Sequence, residues 1–154
     1  MGAEYIHRRA AEGAEFAEKE LTEAILAAAI ELHRWMGPGL LESVYQRAMQ
    51  HELGLRGLSF DAQVLAPVVY KGLALSGALR LDLIVAERVV VEIKSVATLE
   101  DIHRAQLLSY QRLLDLRTGL LINFNVPLLK QGIKRVANSL RPSAPSAPLR
   151  LCGE

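Results

Sequence analysis

Three ionisable side chains stand close together in one stretch of the chain: Asp82 in Leu79–Val85, then Glu92 and Lys94 in Val89–Lys94. Residues two apart on a strand share a face, so Glu92 and Lys94 point together, away from Val91 and Ile93. Asp82 joins them only in some registers. If the intervening loop is the three residues Ala86 to Arg88, Val85 pairs with Val89 and Asp82 lies opposite Glu92 on the same face; a two-residue loop puts Asp82 opposite Ile93, on the wrong side. Two carboxylates with Cβ atoms about 5 Å apart repel each other unless a cation lies between them or one takes a proton. Hard, oxygen-ligated Mg²⁺ or Mn²⁺ suits such a pair. A Lys ammonium beside it can orient an attacking water or stabilise charge building on a phosphate. The chemistry is metal-assisted phosphodiester hydrolysis. The same pattern also describes a solvent-facing stretch with an ordinary cross-strand ion pair.

Two further polar residues sit where packing alone would not ask for them. Glu42 falls in the first turn of a helix, on the edge of the stripe that carries Tyr45 and Met49, where favouring the helix dipole is the alternative role. Gln106 lies one turn from both Ile102 and Tyr110, on the inward side of a later helix, and a buried Gln must have partners. The histidines His7, His33, His51 and His103 show no paired metal spacing, although His103 precedes Gln106 by three residues and can share its face. Trp35 reads as a core or interface residue rather than a base-stacking platform. Lys71, Arg80, Arg104, Lys130, Lys134 and Arg135 are candidate phosphate contacts or simply solvated cations. Asn123-Phe124-Asn125 points to no mechanism.

The elements that must position these residues follow from periodicity. Leu21, Ile25, Ala28, Ala29, Leu32 and Met36 form a one-sided stripe that predicts a helix over 20–36, ended by Gly37-Pro38-Gly39. A second helix is expected over about 40–55, with Leu41, Val44, Tyr45, Ala48 and Met49 inward. Past Phe60 the period becomes two. Gln63–Tyr70 contains Pro67 and so reads as an edge strand or a broken one. Leu79, Leu81, Leu83 and Val85 share one face of the next strand and Arg80, Asp82 and Ile84 the other, and Val89–Lys94 completes a hairpin. Thr98–Arg117 returns to helical spacing with Thr98 as N-cap and apolar Ile102, Leu107, Leu113 and Leu114 behind. Thr118–Phe124 reads as a buried strand, and Gly132–Asn138 as a last strand with a short helix as the alternative. The order ααβββαββ describes a mixed sheet flanked by helices, an α/β (α+β) domain.

The chain of 154 residues is 51% hydrophobic and carries 18 Lys plus Arg against 17 Asp plus Glu. That length supports one domain with a sizeable core. The balance of +1 excludes a highly basic nucleic-acid coat and an acidic tail, but not a locally basic groove. The lone cysteine, Cys152, excludes a disulfide framework and points to the reducing cytoplasm. The start carries charges where a secretory signal needs an apolar core, so no exported context is expected, and no apolar run approaches the roughly 20 residues a membrane span needs. Three prolines among small residues mark a tail at 141–154 that is expected to be disordered. The expected organisation is an N-terminal extension at 1–18, frayed helix or linker, then a domain at 19–140. An aromatic content of 5% is low for a groove of stacked bases.

Gly39-Leu40-Leu41-Glu42-Ser43-Val44-Tyr45 matches the signature of the GxxExxY proteins, and Arg80-Leu81-Asp82, Val91-Glu92-Ile93-Lys94 and Gln106-Leu107-Leu108-Ser109-Tyr110 resemble that family's remaining blocks in order. The similarity covers roughly Leu21 to Asn138. It implies the PD-(D/E)xK nuclease superfamily, in the RecB-like branch with a QxxxY block, and hence a restriction-endonuclease-like core. By resemblance, Asp82, Glu92 and the backbone carbonyl of Ile93 are metal ligands, and Glu42 reaches the metal directly or through water. Lys94 positions the water or the phosphate, and Gln106 and Tyr110 hold the geometry. Leu81 stands where a proline is usual, which puts little in doubt. The implied activity is an Mg²⁺- or Mn²⁺-dependent nuclease acting on DNA, or on RNA. The alternatives are a catalytically silent nuclease fold that binds nucleic acid or a protein partner for targeting, and a protein whose carboxylates are structural. The Leu- and Ala-rich helix surface can support a homodimer.

Overall fold

The computed structural model describes residues 2–139, with side chains described at 18–75 and 79–139; the tail at 141–154 lies outside the described residues. Its elements are α1 (Gly2–Met36), α2 (Glu42–Leu55), β1 (Phe60–Tyr70), β2 (Leu73–Val85), β3 (Val89–Lys94), α3 (Asp101–Leu114), β4 (Thr118–Asn123), a 3₁₀ turn (Leu129–Gly132) and β5 (Ile133–Ala137). The expected order ααβββαββ is the observed one. The segment read as an N-terminal extension continues as the first turns of α1.

The sheet has the order β1-β2-β3-β4-β5. Neighbours run antiparallel except β3 and β4, which are parallel and are joined through α3. Helices α1 and α2 cover one face, where Leu21, Ile25, Ala28, Ala29 and Leu32 meet Tyr45, Met49 and Leu53 above Val89, Val91, Ile93, Leu120 and Ile122. Leu107 and Tyr110 of α3 cover the other, against Ile84, Val90, Leu121 and Val136. Burying both faces explains why β4 is buried along its whole length, with no polar alternation. Pro67 lies on edge strand β1, where the pairing with β2 shifts between Ala66 and Val68, as its missing donor requires.

Several sequence expectations are corrected. Leu41 and Val44 do not face inward: they are 74% and 37% exposed, because α2 starts only at Glu42 and buries the face of Tyr45, Met49 and Leu53. Thr98 is not the cap of α3. Glu100 is, in a reciprocal box in which the His103 backbone amide is held and His103 Nδ1 accepts from the Glu100 amide at 3.0 Å, so His103 serves the helix start. Starting at Asp101 also turns Ile102 outward, 66% exposed. Leu79, Leu81, Leu83 and Val85 do not share a face. Leu83 and Val85 pack under α1 and α2, whereas Leu81 and Leu79 join the α3 side. β1 changes layer at the same level, between Ala62 and Val64, where Gln63 takes a left-handed φ of 51°. A non-glycine residue rarely adopts that conformation. The irregularity faces Asp82, and it opens the sheet there.

Candidate active site

The β2–β3 ladder runs from Val85↔Val89 to Leu83↔Val91 and stops. The three-residue loop is therefore the one that forms, with Ala86 and Glu87 at φ 51° and 58° and the Arg88 amide donating to Val85 O at 3.0 Å. Where Asp82 and Glu92 would make the next pair, side chains take over from the backbone. The Asp82 amide donates to Glu92 Oε1 at 3.1 Å, and the Ile93 amide donates to Asp82 Oδ2 at 2.8 Å. β3 meanwhile stays paired with β4 as far as Lys94↔Asn123. The two carboxylates thus brace the mouth of a hairpin whose strands diverge.

Both groups are buried, Asp82 at 8% and Glu92 at 4% exposure. The Glu92 carboxyl is raised from 4.5 to about 8, by burial first and the Asp82 charge second, with the Asp82 amide and Lys94 opposing the rise. Burial also raises Asp82, against the Ile93 amide, Lys94, Glu92 and Gln46. Two charges this close in a dry place cannot both persist alone, so at neutral pH the pair retains a proton. A divalent cation would replace that proton. The donors are hard oxygens, so the pair fits the kind of ion the chemistry asks for.

The remaining expected residues are gathered unequally. Lys94, half-buried at the end of β3, is close enough for its charge to hold down both carboxyls. The Ile93 amide is committed to Asp82. Tyr110 is 4% exposed; burial and then the charges of Glu92 and Asp82 push its hydroxyl up, while a bond with Gln106 lowers it. Gln106 itself is exposed, not buried as its position on α3 predicted, and it reaches the site only through that hydroxyl. The buried glutamine of α3 is Gln111, whose Nε2 donates to Arg117 O and Val136 O at 3.0 Å each. Glu42 begins α2 and stands one residue removed from the pair. Among the described residues no three His, Cys, Asp or Glu side chains gather around one point.

The link between Glu42 and Asp82 is a residue the sequence reading did not single out. Gln46 Nε2 donates to Asp82 Oδ1 at 2.9 Å and lies 3.5 Å from Glu42 Oε1, and its own Oε1 accepts from Gln63 at 3.4 Å. The signal was its place one helical turn after Glu42, on the same face. Asn123 was missed as well. Its Oδ1 accepts from the Val96 amide at 3.0 Å and its Nδ2 donates to Val96 O at 2.9 Å, which fixes the chain just past Lys94. Gly132 passes so close to Asn123 that a Cβ there would lie 2.1 Å from Asn123 O, so only glycine keeps this clamp in place. Ser95 Oγ donates to Leu40 O at 2.6 Å, tying the loop before Glu42 to the strand that carries Lys94. Phe124 stacks on Tyr45 with centroids 4.7 Å apart, so Asn123-Phe124 has a structural role after all.

A family model described as the PD-(D/E)XK nuclease superfamily matches residues 19–136, from α1 into β5. No curated protein and no solved structure matches the chain. No helix among the described residues is long and apolar enough to cross a membrane.

Proposed function

Because the chain belongs to the PD-(D/E)XK nuclease superfamily, we propose that it is a divalent-metal-dependent nuclease that hydrolyses phosphodiester bonds of DNA, within the GxxExxY group of the QxxxY branch. The observation that carries this reading is the buried Asp82–Glu92 pair at the mouth of the hairpin, with Lys94 beside it. Asp82, Glu92 and the Ile93 carbonyl would hold Mg²⁺ or Mn²⁺, and Glu42 would act through Gln46 or a water. When bound, such an ion lowers the pKa of a coordinated water and makes it a nucleophile near neutral pH.

The chain's own residues do the rest. Gln46 holds Asp82 Oδ1 and the Ile93 amide holds Oδ2, so the carboxylate arrives already oriented and little entropy is lost at the moment of reaction. The ammonium of Lys94 offers three donors to the attacking water or to a non-bridging phosphate oxygen, where negative charge grows. Tyr110, its hydroxyl pushed above its ordinary value, stays a neutral donor, and Gln106 at the rim fixes its direction.

The test is cleavage of single- and double-stranded DNA with Mg²⁺ or Mn²⁺ by wild type, Asp82→Ala and Lys94→Ala. Each substitution should lower the rate about a hundredfold or more. Cleavage that survives both, or survives EDTA, sinks the proposal. A shift of the DNA in a gel with no cleavage under any metal would favour a silent binding module.

A further inference from the structure

The last rung of the β3–β4 ladder pairs Lys94 with Asn123. By that point β3 has lost its other neighbour, since the ladder to β2 stops at Val91, and both β3 and β4 end there. A strand end held on one side frays. A lysine on such an end, with its flexible four-carbon stem, has no fixed direction for its ammonium. Here the end is held. The Phe124 amide donates to Lys94 O at 2.9 Å. Beyond it the Asn123 side chain takes the place of a further rung, with Oδ1 accepting from the Val96 amide and Nδ2 donating to Val96 O. One side-chain amide thus meets the donor and the acceptor of a single residue, as a neighbouring peptide group would. Asn125 supports the arrangement, its backbone amide donating to Asn123 Oδ1 at 3.2 Å and its Nδ2 to Val96 O at 3.3 Å.

This clamp lies on the side of the sheet that carries the chemistry. Ile122 and Phe124 pack under α1 and α2, as do Val91 and Ile93, so alternation turns Asn123 to the face shared by Glu92 and Lys94. The preceding positions of β4 are filled by Leu120, Leu121 and Ile122. An amide at the next one is tolerated only because Val96 satisfies it. Asn123 is 2% exposed, too deep to touch a substrate. Lys94 is half-buried, and its charge reaches both Asp82 and Glu92.

We propose that Asn123 is a positioning residue for Lys94: by holding Val96 it fixes the direction in which the lysine leaves the strand, and so keeps the ammonium beside the Asp82–Glu92 pair. The inference rests on the nuclease reading for the task of that ammonium. Its placement is a property of the chain alone, present without metal or substrate, and is measured without either.

The test follows Lys94 itself by NMR, on the full chain in EDTA labelled with ¹³C at the lysine ε-carbons. The chain has five lysines, and Lys94→Arg identifies the signal of Lys94. In a lysine held in one direction the two ε-protons are inequivalent; in Asn123→Ala they should merge, as in a freely rotating side chain. The Val96 amide, which donates to Asn123, should exchange at least about tenfold more slowly than the amide of exposed Thr98 and lose that protection in the variant. Cleavage with Mg²⁺ reads the consequence. Asn123→Ala should lower kcat at least about tenfold with KM unchanged. When Lys94 is already alanine, the same substitution should cost less than about twofold, because residues that act through one another are not additive. Epsilon protons that stay inequivalent in Asn123→Ala, or an equal loss of rate with and without Lys94, would reduce Asn123 to a packing residue and overturn the proposal. Should Asn123→Ala fail to fold, the wild type decides: a protected Val96 amide with inequivalent Lys94 ε-protons upholds the proposal, and an unprotected amide or merged protons overturn it. A wild type that cleaves nothing while Lys94 responds to Asn123→Ala as expected would end the nuclease reading and leave the positioning of Lys94 standing.

Discussion

The two ends of the β2–β3 hairpin are built from adjoining residues of the same strands, and they obey opposite rules. At the turn end Leu83, Ile84 and Val85 pair through the backbone with Val91, Val90 and Val89, and their side chains divide between the two layers of the core. One residue further, the ladder gives way to Asp82 and Glu92 holding each other's strand by side chain to backbone bonds. The first end is insensitive to pH and ions, since burial of hydrocarbon depends on neither. The second holds two acids with little access to water, and its state depends on what neutralises them. Stability and chemistry are therefore separable within a few residues.

The largest effects come from exchanging the two kinds of damage. Asp82→Asn should lower cleavage about a hundredfold or more with a smaller loss of stability, since the amide removes a buried charge and its oxygen can keep the Ile93 bond, while Gln46 must turn its own oxygen toward the new Nδ2. Leu83→Ala, at a fully buried position, should do the reverse, costing about 2–5 kcal/mol while each folded molecule still cleaves. Denaturant melts and rates per folded molecule measure both. Equal losses of stability and activity in the two variants would break the distinction.

The pH dependence is next. The Glu92 carboxyl lies at about 8 in the folded chain against an ordinary 4.5. Between those values the folded state binds the extra proton, so Glu92's contribution to the stability of the metal-free protein is fully present below 4.5 and is lost as pH rises through about 8. Each unit of difference corresponds to about 1.4 kcal/mol, so Tm is expected to drop by at most roughly 10–20 °C across the window. Glu92→Gln should flatten the curve. A wild-type Tm that rises with pH across that range would contradict the buried, shared proton.

The same state predicts a response to ions. Mn²⁺ added near pH 8 should raise Tm, by about 2.7 kcal/mol of stabilisation at a hundredfold excess over Kd. Below neutrality the bound ion should displace about one proton, read as a buffer-dependent heat in calorimetry. In Leu83→Ala the shift should persist, and in Asp82→Asn it should vanish.

The turn end of this hairpin was legible in the sequence because alternation and β-branching report burial directly, and so was the order of elements. What misled was the assumption that alternation continues. Leu79 and Leu81 keep the spacing of Leu83 and Val85 but lie in the other layer, because Gln63 and the broken ladder at Asp82 turn both strands. Spacing alone does not show an irregularity of that kind. Asp82, Glu92 and Lys94 could be singled out by type and spacing, whereas Gln46 offered only its place one turn after Glu42, and the partners that give Gln46 and Asn123 their roles lie 36 and 27 residues away. Gln106 was placed inward by helical phase, which fails at the rim of a layer, where α3 has no further sheet to cover.

The smallest effect expected is the most informative about how the acidic end is held. Gln46 lowers the Asp82 carboxyl by donating to Oδ1, and its other side-chain partners are Glu42 and Gln63 rather than Glu92 or Lys94. Removing it in Gln46→Ala leaves Asp82 without its α2 partner, so its carboxyl should rise further and rotate more freely. Cleavage should fall about tenfold, as for other partners that orient a metal-binding carboxylate, and the acidic limb of the rate profile should move to higher pH. Stability should change little, because the lost bond is exchanged for hydration at a partly open edge. Gln46→Glu adds a third acid beside the pair, and the same limb should move further in the same direction. A uniform fall in rate with no movement of the limb would mean that Gln46 merely packs, and that the Ile93 amide alone orients Asp82.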